Sequence, residues 1–256
     1  MKVAGSRILV VGGVRRLGRE LALDLAEHGA AVCVSSRTTG PESAVIVAGL
    51  RAAGAPAAAA IVGDVTKPNG GAALIGHAVA ALGGLDGLLY VVSGPFVPRA
   101  PQHIDEASWD ASFDSSAKGF FFTACAAHAE FVRAADPDAG GAGHAGVIVA
   151  LTDYLGLQPW ANFAAHGAAK AAQIHLVKEL ARAWAADGVR VCGVAPGPVD
   201  LRDDEHRAAT LRAAAKAAAP WLVAAADVGR AVRFCLATDG ATGINVPVDN
   251  GSLLTH

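Results

Sequence analysis

From Ser6 onward, short apolar runs rich in β-forming residues alternate with longer stretches whose leucines and alanines recur at helical spacing, and the alternation continues to Val248. The runs Ser6–Gly12, Ala31–Ser35, Ala58–Val62, Gly87–Val92, Val147–Leu151, Val189–Ala195 and Gly243–Val248 read as strands. Between them Leu17–His28, Glu42–Ala53, Gly70–Leu82, Ser108–Ala135, Ala164–Ala186 and Ala226–Ala237 read as helices. Strands joined through helices form right-handed parallel crossovers, so the expected architecture is α/β: a doubly wound parallel sheet of about seven strands with helices on both faces. No linker divides the chain, which is expected to be a single domain over residues 1–256. Asp136–Gly146 reads as a surface loop, and Asp200–Pro220 as a charged, alanine-rich excursion covering the substrate. In open parallel sheets the ligand crevice lies at the carboxyl ends of the strands, which is where the chemistry-bearing residues fall.

Charge and composition remove several classes of function. The formal net charge is −2, and no basic cluster exceeds a pair, so nucleic acid is not expected as a partner. No charge-free run is long enough to span a membrane, and Arg15 and Arg16 interrupt the first apolar stretch too soon for a secretion signal. Cys33, Cys125, Cys192 and Cys235 are scattered, without metal-ligand spacing, and read as buried thiols of a cytoplasmic protein with no metal site.

After the first strand, Gly12-Gly13-Val14-Arg15-Arg16-Leu17-Gly18 opens the first helix. Gly12 permits a sharp turn, Gly18 lets the helix approach the sheet, and the free N–H groups at the helix start suit a pyrophosphate. The second strand ends Ser35-Ser36-Arg37, with no carboxylate for ribose hydroxyls. Arg15 and Arg37 are instead placed to clasp a 2′-phosphate, because guanidinium pairs bidentately with phosphate oxygens. The expected cofactor is therefore NADP(H) rather than NAD, the alternative for both arginines being plain surface solvation.

The glycine loop, Asp64-Val65 after the third strand, Lys170 on the long helix, Pro196-Gly197 after the sixth strand and the closing Val248-Asp249-Asn250-Gly251 occur in one order. Over nearly the whole chain, that order resembles the short-chain dehydrogenase/reductase family, which has a Rossmann fold. The resemblance implies that Asp64-Val65 contacts adenine, that Lys170 binds the nicotinamide ribose, and that Pro196, Gly197 and Val199 border the nicotinamide. It also implies cofactor contacts from Gly12, Arg15, Arg16, Leu17, Gly18, Ser36, Arg37 and Ser93.

At the chemical end the chain departs from the family pattern. The family's Tyr-x-x-x-Lys window reads His166-Gly167-Ala168-Ala169-Lys170, so both ends remain one turn apart on a helix face while the phenol is replaced by imidazole. The family's serine, thirteen residues before that tyrosine position, is Asp153, and its helix asparagine is Ser116. Arg16 for a loop glycine, Asp153 for serine, Ser93 after the fourth strand and Gln158-Pro159 resemble the pteridine and dihydromonapterin reductases within the family. That subgroup resemblance implies an aromatic side chain against a flat substrate, with Phe96 the nearest candidate.

The readings of these residues remain several. Histidine changes charge near neutrality and can deliver a proton to a carbonyl or imine during hydride transfer. A charged Lys170 would disfavour its protonation, and Asp153 would favour it. Tyr154 is a candidate relocated acid or substrate contact. The leading expectation is an NADP(H)-dependent reductase of a small carbonyl or imine, with pterin-like rings among the substrates and Asp153, His166, Lys170 and Ser116 as catalytic groups. Two alternatives stand: a dinucleotide-binding sensor without turnover, and a non-redox isomerase, dehydratase or cyclase using Asp153 and His166. The resemblance further implies a homodimer or homotetramer paired through the two long helices.

Overall fold

The computed structural model describes residues 1–135, 145–201 and 222–254. Seven strands form one parallel sheet: β1 (Arg7–Val11), β2 (Ala31–Ser36), β3 (Ala58–Val62), β4 (Gly87–Tyr90), β5 (Gly146–Leu151), β6 (Val189–Pro196) and β9 (Asn245–Val248). Their order is β3-β2-β1-β4-β5-β6-β9, and all six pairings are parallel. Two short strands, β7 (Val199–Asp200) and β8 (Val223–Ala224), pair separately beyond the carboxyl end of β6. Among the described residues the α-helices are α1 (Arg16–Glu27), α2 (Pro41–Ala52), α3 (Gly70–Leu82), α4 (Glu106–Phe113), α5 (Gly119–Ala134), α6 (Ala164–Ala183) and α7 (Ala225–Ala237).

Strand alternation divides the core into two layers. In β1, Ile8 and Val10 pack with Leu21 and Leu25 of α1, Ile46 of α2 and Val232 of α7. Leu9 and Val11 point the other way, into a layer with Leu74 of α3, Phe120 and Phe131 of α5 and Val177 of α6. Both sides of the sheet are thus covered, as nearly continuous apolar strands require. The strand order reverses between β1 and β4, which opens the crevice at their carboxyl ends.

Most boundaries expected from periodicity agree within two residues, and the long helix is the main correction. Ser108–Ala135 is not one α-helix. It starts at Glu106, because the Asp105 carboxylate accepts the Ser108 N–H at 2.7 Å and caps the helix there. It is then interrupted by a π-helical turn, Asp114–Lys118, before α5. The buried Tyr90 hydroxyl donates to the Ser115 carbonyl, and the Ser115 hydroxyl donates to Ala111, so carbonyls of the ladder are shared with side chains. Strand β4 stops at Tyr90 rather than Val92, and β9 begins at Asn245 rather than Gly243. Of the expected Asp136–Gly146 loop, residues 136–144 lie outside the described residues, and Gly146 opens β5. Residues 202–220 of the Asp200–Pro220 excursion also lie outside them.

Arg190 on β6 is buried, although it carries a full charge. Its guanidinium donates to the carbonyls of Cys235, Leu236 and Ala241 at 2.6–2.9 Å, covering the carboxyl end of α7 where the helix dipole is negative. Cys33, Cys192 and Cys235 are buried free thiols and Cys125 is partly exposed. No described helix is long and apolar enough to cross a membrane.

Candidate active site

The loop after β1 has the geometry of a phosphate cradle. Gly12 adopts φ +85°, the left-handed region that favours glycine, and its N–H donates to the Ser35 hydroxyl at 3.2 Å. A Cβ on Gly18 would run into the backbone carbonyl of Gly12, so α1 can lie this close to the turn only with glycine there. No side chain caps the amino end of α1 at Arg15, and Arg16 itself adopts φ +52°. The arginine therefore occupies a left-handed position that a glycine would take without strain. Leu17, partly buried, packs against the α1 layer of the core.

The two arginines expected to act together are differently engaged. Arg15 pairs with Glu42 of α2 at 3.6 Å, both side chains being exposed. Arg37 is exposed and acts electrostatically on Asp64. Burial tends to raise the Asp64 carboxyl, but the Thr66 N–H and hydroxyl at 2.9 and 2.8 Å, together with Arg37 and Lys67, outweigh this and hold it below the usual range. Val65 is buried in the core layer with Leu74, while Ser36 donates to the Thr38 carbonyl and Ser93 is exposed beyond β4. At the end of β6, the Gly197 N–H donates to the Val248 carbonyl, and Val199 is partly buried.

Three of the expected catalytic side chains converge at the carboxyl end of β5. His166 Nε2 lies 3.1 Å from Asp153 Oδ2, and the other Asp153 oxygen accepts the Leu155 N–H at 2.9 Å. The carboxylate thus both caps the start of a 3-10 turn (Tyr154–Gly156) and orients the imidazole. His166 is buried, and its Nδ1 has no hydrogen-bond partner among the described residues. One turn on, the buried Lys170 ammonium donates to the Leu151 carbonyl at 2.9 Å and to Gln173 Oε1 at 3.1 Å. Burial pushes the Lys170 amine down to about 8, with Asp153 opposing the shift. Gly156 makes this packing possible, since a Cβ there would meet the Lys170 backbone.

Ser116 lies in the π-helical turn, wholly buried, and its hydroxyl accepts the Gly94 N–H at 3.4 Å; it therefore fastens the loop after β4. Tyr154 is buried against Trp160, with ring centroids 5.7 Å apart. Burial raises its phenol far above the ordinary value, and Asp153 and Asp249 add to this, so it stands as a packing residue rather than a ready acid. Phe96 makes a T-shaped contact with the His166 ring at 5.1 Å and stacks on Phe163 at 4.6 Å, while remaining 45% exposed. An aromatic face thus stands beside the imidazole. Residue-by-residue reading missed Phe163, Trp160 and Gln173. Gln173 follows Lys170 by three positions, a spacing that already places the two on one helix face.

Comparison with known proteins agrees with this fold. Residues 6–210 match the family model for short chain dehydrogenase. The chain is 34% identical over 249 residues to cis-4-hydroxycyclohexanecarboxylate dehydrogenase of Sinomonas cyclohexanicum, covering 95% of this chain and 94% of that protein. It is 30% identical to 3beta-hydroxysteroid dehydrogenase 1 of Eggerthella lenta, covering 98% and 94% respectively. Among solved structures, a short chain dehydrogenase from Burkholderia cenocepacia J2315 in complex with NADP superposes with a TM-score of 0.85 at 26% identity, over 99% of this chain and 100% of that one. With a seven-stranded parallel sheet, a glycine turn at the switch point and relatives that extend over its length, the chain belongs to the short-chain dehydrogenase/reductase family of oxidoreductases.

Proposed function

We propose that the protein is an NADP(H)-dependent reductase of a small, flat carbonyl or imine, with His166 as proton donor, Asp153 as its partner and Lys170 as the ribose-binding cation. The observation that carries this reading is the contact of buried His166 with partly buried Asp153 at 3.1 Å, one helical turn from Lys170. The Gly12 turn and the close approach at Gly18 provide the cradle a dinucleotide needs. Exposed Arg37, with no acid at the end of β2, favours the 2′-phosphorylated form. The NADP bound to the Burkholderia relative is consistent with that preference.

When bound, the dinucleotide supplies or accepts the hydride. A heteroatom whose carbon gains hydride needs a proton, and an imidazole held by the Asp153 carboxylate is a group that can give it. Because Nε2 is engaged by the carboxylate, Nδ1 is the ring nitrogen left without a partner among the described residues and is the one available for the proton transfer. A carboxylate only accepts, so the neutral ring keeps its proton on Nε2 and presents a bare Nδ1. The same pair can therefore take the proton from an alcohol in the reverse direction. Phe96 and Phe163 offer an aromatic wall for a ring, pterin-like or alicyclic. Both curated relatives are named for cyclic secondary alcohols, which supports a ring carbonyl. Exposed Phe122 and Val132 on α5 suit pairing of subunits through the long helices, and light scattering should give a dimer or tetramer at micromolar concentration.

The test is a scan of NADPH oxidation against pterins, cyclic imines and cyclic ketones. His166→Phe should lose most of the rate, about ten-fold or more, while leaving NADPH affinity nearly unchanged. His166→Tyr should keep or raise activity. Turnover of His166→Phe at the wild-type rate would make the histidine a bystander. NADPH binding without oxidation by any of these substrates would favour the sensor, and conversion with no change in cofactor redox state would favour acid–base chemistry.

A further inference from the structure

Gln173 sits where an apolar residue would serve the fold better. It lies on α6, wholly buried, beside the core residues Ile174 and Val177. Its Oε1 accepts the Lys170 ammonium at 3.1 Å. An ammonium can only donate, so the orientation of the amide is fixed by chemistry: oxygen toward Lys170, nitrogen away. That leaves Nε2 buried without an acceptor among the described residues. A buried donor left unpaired costs stability, and a leucine of similar volume would avoid the cost. The amide is therefore not explained by packing.

We propose that Gln173 is a positioning residue that holds Lys170 in a two-acceptor cradle with the Leu151 carbonyl, fixing the ammonium at the carboxyl end of β5. Leu151 lies on the strand and Gln173 one turn along the helix, so the two acceptors approach Nζ from different elements. Lysine has three N–H donors. Two are used here, and the third remains for a ribose hydroxyl or a neighbouring proton carrier. Desolvation pulls the buried amine down and Asp153 opposes it; an amide oxygen that accepts from the ammonium favours the charged form in the same direction as Asp153.

Few other charges compete for this role. Asp153, in the segment after β5, acts on Lys170 from outside α6, and His166 lies one turn before it on the same helix. At the level of Leu151, β6 contributes Val194, which does not ionise. The buried residues of the π-helical turn are Ser115, Ser116 and Ala117, while its charged pair, partly buried Asp114 and exposed Lys118, is bonded to itself. Among the described residues, the amide of Gln173 is thus the side-chain acceptor that the ammonium has within hydrogen-bond reach.

This inference rests on Lys170 being the ribose-binding cation, and the test separates the two. Lysine side-chain NMR of the cofactor-free protein, with the Lys170 signal identified by its loss in Lys170→Met, reads the lysine's own titration. In Gln173→Leu the titration midpoint of Lys170 should fall by about one unit, and in Gln173→Glu it should rise by about as much or more. NADPH affinity, read by fluorescence, should weaken about five-fold or more in Gln173→Leu, and the same change made in Lys170→Met should add nothing. An unmoved Lys170 titration in both glutamine variants overturns the proposal, whatever happens to melting temperature. A lower melting temperature in Gln173→Leu with Lys170 unmoved assigns the amide a packing role instead. If the titration moves as expected but Lys170→Met binds NADPH like the wild type, the cradle stands and the ribose assignment of Lys170 falls.

Discussion

Lys170 carries a charge inside the core, and that charge should be visible in the pH dependence of folding. Its amine is pushed from 10.5 down to about 8 by burial. Below the lower value, folded and unfolded chains are both protonated there, and the full cost of burying the cation is present, about 3 kcal/mol for a shift of this size. As pH rises past it, the folded state releases the proton while the unfolded state keeps it. The unfolded chain then binds more protons, so this group's contribution to stability rises with pH until the unfolded lysine also titrates. Between about pH 7 and pH 9 the recovered stability is about 1 kcal/mol.

Other groups act in the opposite direction over part of that range. Burial pushes the Cys33 thiol up to about 12 and raises the phenols of Tyr90 and Tyr154, so their contributions are lost as alkalinity ionises the unfolded chain. The measurement is therefore a difference. Urea denaturation of the wild type and of Lys170→Met near pH 7, 8 and 9 cancels the thiols and phenols, which both proteins share. The stability of the wild type minus that of the variant should climb by about 1 kcal/mol over the range. A flat difference, or one that falls, would refute the claim that the ammonium is desolvated at the folded site.

Two further outcomes test the dinucleotide end. NADPH should bind about ten-fold tighter than NADH, about 1.4 kcal/mol, and Arg37→Asp should reverse the order; equal affinities measured by fluorescence titration would remove the 2′-phosphate reading. Gly18→Ala should destabilise the fold by about 1–3 kcal/mol and weaken cofactor binding, because the added Cβ meets the Gly12 backbone and forces α1 away from the turn. An unchanged urea midpoint there would mean that α1 shifts without cost.

Periodicity was enough to read the sheet. The runs from Ser6 to Val248 specify strands buried on both faces, the intervening stretches specify helices with one buried stripe, and crossovers through those helices make the pairing parallel. Gly12 and Gly18 were legible because a tight turn and a close helix approach demand residues without Cβ. The His166–Lys170 spacing was legible because one helical turn is a local property of the chain. Tertiary structure decided what each of these groups touches. Tyr90, on β4, reaches across to the Ser115 carbonyl and helps turn an unbroken helical pattern into two helices and a π turn. Glu42, from α2, takes Arg15 into a surface pair that no local pattern announces. Phe96 and Phe163, from separate loops, form one wall beside His166, whose partner Asp153 comes from the end of another strand. Gln173 shares a helix face with Lys170, yet only burial made its amide oxygen a ligand of the ammonium and left its nitrogen unpaired. Periodicity encodes which face of an element turns inward; the partner found there comes from residues distant in sequence, which packing alone brings together.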